Sequence, residues 1–98
     1  MNNNTIKAKR EFNEIINSFY NIAERRKDSD TLIQLSLINY EMELIPAEKF
    51  TQYLKNAKKK VHKLMEDMKV IINGEKGSEE DLINLNEAKK NLEKLTVV

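Results

Sequence analysis

Residues 50–73 read FTQYLKNAKKKVHKLMEDMKVIIN, and the fold turns on how this stretch is read. Phe50, Leu54, Ala57, Val61, Leu64, Met68 and Ile71 recur at alternating intervals of four and three. On a helix that spacing lines them up as a heptad seam, because it nearly matches the 3.6-residue turn. A helix is predicted over residues 46–73, about 40 Å long at 1.5 Å per residue. Pro46 suits its first position: the ring presets a helical φ, the missing N–H is one the first turn does not use, and Ile45 is pushed out of helical geometry. Glu48 then falls in the first turn, where the dipole favours an acid. Asn73-Gly74 reads as a left-handed stop.

Working back toward the N-terminus, Ala8, Phe12, Ile15, Phe19 and Ile22 form a second such stripe, widened by Ile16 and Ala23. This predicts a helix over residues 5–27 that closes on Arg25-Arg26-Lys27, where cations suit the negative end of the dipole. Asp28-Ser29-Asp30 supplies capping side chains for a new start. Residues 31–45 read less simply. As a helix, Leu32, Ile33, Leu35, Leu37, Ile38, Tyr40, Met42, Leu44 and Ile45 surround the axis. As a strand, Ile38, Tyr40, Met42 and Leu44 alternate with polar residues, but parity breaks at Leu37-Ile38. The favoured reading is a short, centrally buried helix over residues 30–43, because no second β-branched run exists to pair with a strand. Beyond Asn73, Gly77-Ser78 opens a fourth helix over residues 78–95, with Ser78 as cap and Glu79, Glu80 and Asp81 lining its positive end. Leu85, Ala88, Leu92 and Leu95 give its stripe, and residues 96–98 are expected to fray.

The expected fold is therefore all-α, an antiparallel four-helix bundle with a long third helix, in one domain of 98 residues. Only 2 Gly and 1 Pro leave too few turns for a β-sandwich of this length. With 40% hydrophobic and 34% charged residues the chain is too apolar for disorder, and its longest apolar run is far too short to span a bilayer. No apolar leader follows the N-terminal charges, and cysteine is absent; a cytoplasmic location is expected.

Candidate chemistry is sparse. His62 is the single histidine, and Glu66 one turn on gives a His/Glu pair, short of the third ligand a zinc site needs. The acids at positions 79–81 lack the alternation of a calcium loop, and Gly74 and Gly77 form no phosphate-cradling motif. No metal, no cofactor and no enzymatic activity is expected. The feature that remains is charge: Lys49, Lys55, Lys58, Lys59, Lys60 and Lys63 give six cations and no acid over fifteen residues, against a net charge of +1 for the whole chain. Lys55, Lys59 and Lys63 lie one turn apart, with Lys58 and Lys60 adjacent, all off the seam. Residues 31–48 hold no base, only Glu41, Glu43 and Glu48. Two readings stay open: a solvated face offset by a neighbouring helix, or an electrostatic contact with an acidic protein, anionic membrane or nucleic acid.

A cysteine-free chain of this length, with four predicted helices and Leu44-Ile45-Pro46-Ala47 opening the third, resembles the cytoplasmic immunity proteins for pediocin-like bacteriocins. That family consists of antiparallel four-helix bundles that protect a producing bacterium by acting on a complex of its pore-forming peptide with a sugar-transporter receptor. The resemblance spans residues 6–95 and concerns architecture and spacing, so it assigns no functional residue. It agrees with the leading expectation: a stoichiometric binder of a larger protein, of immunity, inhibitor or antitoxin type. The alternatives are a nucleic-acid-associated accessory protein working through the lysine face, and a homodimer joined through the seam.

Overall fold

The stripe expected in the first helix is used in full. In the computed structural model, which describes residues 3–76 and 78–97, α1 (Asn3–Arg25) buries Ala8, Phe12, Ile15, Ile16, Phe19, Ile22 and Ala23, and Thr5 with them. It is followed by α2 (Ser29–Leu44), α3 (Phe50–Asn73) and α4 (Glu79–Lys94). These four helices make an antiparallel bundle of 45 × 23 × 17 Å, with no strand among the described residues. Here α1 packs closely on α2 and α4, and α3 on α4. Phe12, Phe19, Phe50, Leu35, Met65 and Leu92 fill the centre. Each fully buried side chain of this size contributes roughly 1.5–3 kcal/mol from leaving water, which is how helices marginal in isolation hold one another. Among the described residues no helix is long and apolar enough to cross a membrane.

The α1–α2 corner shows why the chain turns where it does. Asp28 N–H donates to the Ala23 carbonyl (3.0 Å) and Lys27 N–H to the Glu24 carbonyl (3.1 Å), and Lys27 holds a φ of 57°. This is the Schellman arrangement with lysine in the left-handed position that glycine usually takes. Asp28 then caps α2 as expected: it accepts from Thr31 N–H (3.2 Å) and from the Thr31 hydroxyl (2.7 Å). The helical alternative for residues 31–45 is the one adopted, but α2 is not centrally buried. Thr31, Leu35, Ile38 and Met42 face the core, while Ile33, Leu37, Tyr40 and Leu44 face out.

Three further expectations are corrected. The buried stripe of α3 is Phe50, Leu54, Ala57, Val61, Met65, Met68 and Ile72; Leu64 is only partly buried and Ile71 is exposed. A strict heptad lags a straight helix by about 20° per repeat, so beyond Val61 Met65 and Ile72 replace Leu64 and Ile71 while Met68 keeps its place. Phe50 to Val61 and Val61 to Ile72 are each eleven residues, a repeat of about 3.67 residues per turn that gains about 20° on a straight helix where the heptad loses about 20°. Pro46, next, does not open α3. At ψ 148° it is extended and precedes a 3-10 turn, Ala47–Lys49, so that α3 starts only at Phe50 and Glu48 lies outside its first turn. Gly74 is right-handed (φ −86°), and α3 ends by tightening: Gly74 N–H reaches back to the Ile71 carbonyl (3.2 Å) and Glu75 N–H to that of Ile72 (3.0 Å). Gly77 and Val98 lie outside the described residues; residues 95–97 have left the helix as expected, with Val97 partly buried against the core. The α3 stripe is covered by the chain's own helices.

Candidate electrostatic binding face

The burial phase of α3 fixes where its lysines point. Once positions 54, 61, 65 and 72 face inward, Lys59 and Lys63 stand on the opposite side, Lys55 one turn before Lys59. Lys60 lies two turns beyond Tyr53, whose hydroxyl donates to the Ile38 carbonyl of α2 (3.0 Å), so it belongs to the α2 side. Lys58 turns the other way: its ammonium donates to the Leu95 carbonyl at the end of α4 (2.5 Å). That contact serves the C-terminus of α4, whose last carbonyls have no helical partner. Among the described residues Lys55, Lys59, Lys60 and Lys63 make no ion pair, so four of the five expected cations form a free, exposed face and the fifth is structural.

One acid that might have offset them is engaged elsewhere. Glu66, one of two acids at favourable spacing from Lys63, is taken by Lys89 of α4. The Lys89 hydrogen bond holds the Glu66 carboxyl below its usual range, and the same bond raises the Lys89 ammonium. His62 Nε2 lies 3.4 Å from Glu93 Oε1 and 4.0 Å from Glu66 Oε1, so the histidine joins the α3–α4 seam. At the far end Asp81 accepts from Arg25 (2.6 Å), while Arg26 reaches Glu75 (2.5 Å), Asp81 (3.8 Å) and the Ser78 hydroxyl (3.4 Å). Ser78 occupies the cap position of α4 without a capping hydrogen bond from its side chain. Of the acids read as lining the start of α4, Asp81 is therefore partly tertiary: with Glu75 it clamps the α1–α2 corner to the α3–α4 corner.

Between α2 and α3, Tyr53 is the polar link. Its hydroxyl also lies 3.5 Å from Glu41 Oε1, and its pKa is pushed up to about 12 because burial and the neighbouring carboxylate both oppose the phenolate. Along α1 and α4 runs a shallow groove of about 610 Å³, walled by Glu11, Glu14, Asn21, Asn84, Glu87 and Asn91. It is polar and open. Ile33, Leu37, Tyr40 and Leu44 of α2, expected in a buried helix, stand outward instead and repeat the four-three-four spacing of the inward set. That doubled spacing is the signal that marks them. No protein-family model, curated protein or solved structure matches this chain, so the chemistry of its own surface carries the functional reading.

Proposed function

We propose that this chain is a small, non-enzymatic binding protein that acts stoichiometrically on a larger protein target in the cytoplasm, in the manner of immunity, inhibitor or antitoxin proteins. The observation that supports it is the α3 face, where Lys55, Lys59, Lys60 and Lys63 are exposed without an ion pair among the described residues. Such a field steers an acidic surface into place and raises the association rate more than the final affinity. An acidic protein fits better than nucleic acid. The face holds no arginine for base reading, and Glu66, Asp67 and Glu93 border it, where a continuous phosphate backbone would meet carboxylates. Bacteriocin immunity is the form of this role that the bundle architecture suggests.

Affinity capture tests the reading. The tagged wild-type chain is expected to retain one protein in equimolar amount from a producing cell, and the Lys55, Lys59, Lys60 and Lys63→Glu variant to lose it while keeping its helical signal. Retention by both forms would sink the proposal. A salt-sensitive shift of duplex DNA, abolished by the same substitutions, would replace it with the nucleic-acid role.

A further inference from the structure

The outward stripe of α2 needs a separate account. Ile33, Leu37, Tyr40 and Leu44 are 65, 56, 61 and 65% exposed. Each stands two residues beyond a member of the inward set, so at 100° per residue the two stripes lie about 160° apart on one helix. A solvated helix face is ordinarily polar, and four large apolar side chains in a row present on the order of 400 Å², the size of patch that marks interaction sites.

We propose that this stripe is the docking site for a basic amphipathic helix of a partner protein. Apolar residues of that helix would meet Ile33, Leu37, Tyr40 and Leu44, and its lysines or arginines would meet Asp30, Glu41 and Glu43. The proposal rests on the reading of the chain as a protein-binding module and gives that reading a partner chemistry, on a surface distinct from the α3 lysines.

Charge selects the occupant. From Asp28 to Glu48 every charged side chain is acidic. Helical geometry sets Asp30 and Glu41 along one flank of the stripe and Glu43 along the other. Anionic lipid and nucleic acid are repelled by such a border. A second copy fits less well. Pairing α2 with α2 sets carboxylate against carboxylate in either direction. Pairing α2 with the outer face of α3 supplies cations but no anchors over residues 52–63, where the outward positions are Gln52, Lys55, Asn56, Lys59 and Lys63, and the exposed Val70 and Ile71 follow only near the end of the helix. A foreign helix with apolar residues at i, i+3 or i+4 and i+7, flanked by cations, meets both demands. Tyr40 sits within the stripe and is the residue type that most often dominates such contacts.

The test uses the full chain and two labelled peptides of about three heptads, each with leucine at the a and d positions. One carries lysine at the flanking positions and the other glutamate, and binding is followed by fluorescence anisotropy at nanomolar peptide. The lysine peptide is expected to bind at least about tenfold tighter than the glutamate peptide, with an affinity that falls as salt rises. Leu37→Ser with Tyr40→Ser should weaken it by about tenfold or more without altering the circular dichroism or melting temperature, because both residues are exposed. Changing Lys55, Lys59, Lys60 and Lys63 to Gln should leave peptide binding intact, so a failed α3 face and a failed α2 site give different results. Equal binding of the two peptides, or an undiminished affinity in the double serine variant, overturns the proposal. So does a dimer in sedimentation that the serine variant dissolves, which would assign the stripe to a second copy.

Discussion

Neighbouring helices α2 and α3 carry the same four-and-three spacing and use it in opposite ways. In α3 one apolar stripe points inward and lysines point out. In α2 one apolar stripe points inward, an equivalent one points out, and the charges beside it are acidic. The difference teaches that spacing announces a stripe to be buried, whereas the choice between two equal stripes belongs to the neighbours. For α2 the Asp28–Thr31 cap and the Tyr53 hydroxyl bond to Ile38 tie down the inward side.

The sharpest way to break this comparison is to truncate one leucine on each side of α2. Leu35→Ala, fully buried, should cost about 3–4 kcal/mol from lost transfer energy and the cavity left behind, while Leu37→Ala should stay within about 0.5 kcal/mol. Urea denaturation reads both, and equal losses would show that the outer stripe is covered after all. On α3 the parallel contrast is Ile72→Ala, expected to cost about 2–3 kcal/mol, against Ile71→Ala, expected to cost less than about 1 kcal/mol. A reversed order would restore the strict heptad.

A smaller effect sharpens the join between the two helices. Tyr53→Phe removes the bond to Ile38, worth about 1 kcal/mol at neutral pH. Because the folded phenol titrates at about 12, above the 10.0 of a free tyrosine, the unfolded chain loses this proton first. The Tyr53 contribution is therefore fully present below pH 10.0 and declines as pH rises from there through about 12. The stability difference between wild type and Tyr53→Phe, followed from neutral pH into that window, should shrink; a difference that grows would contradict the assignment. Smallest are the two helix ends. Lys27→Gly relieves the positive φ before α2 and should raise stability by about 0.5–1 kcal/mol. At the end of α3, Gly74→Ala should also stabilise, by about 0.4–1 kcal/mol, since an added methyl at this right-handed position meets only the Ile71 carbonyl at 3.6 Å. Matching thermal melts check both signs.

Much of this architecture was legible in the chain. The α1 stripe could be read residue by residue because doubled positions, Ile15-Ile16 and Ile22-Ala23, keep it broad enough to tolerate drift. The cap at Asp28 was legible because it is local. The α3 stripe was legible as far as Val61 and again at Met68, but missed by one residue at Leu64 and Ile71, since small phase errors accumulate along a helix. The lysine face was visible as a cluster, but the diversion of Lys58 to Leu95 and of Glu66 to Lys89 depends on α4, more than twenty residues away in sequence.

Taken alone, the order of residues settled that this protein is helical, where its four helices lie to within a few residues, and which cations gather on the third. Those properties follow from periodicity, caps and composition, which act over one or two turns. Tertiary structure alone decided which side of α2 is hidden, which lysines stay free, and that Arg25 and Arg26 clamp Glu75 and Asp81 across the end of the bundle. Each of those outcomes depends on which surfaces distant segments bring together, and that is set by the packing of all four helices at once.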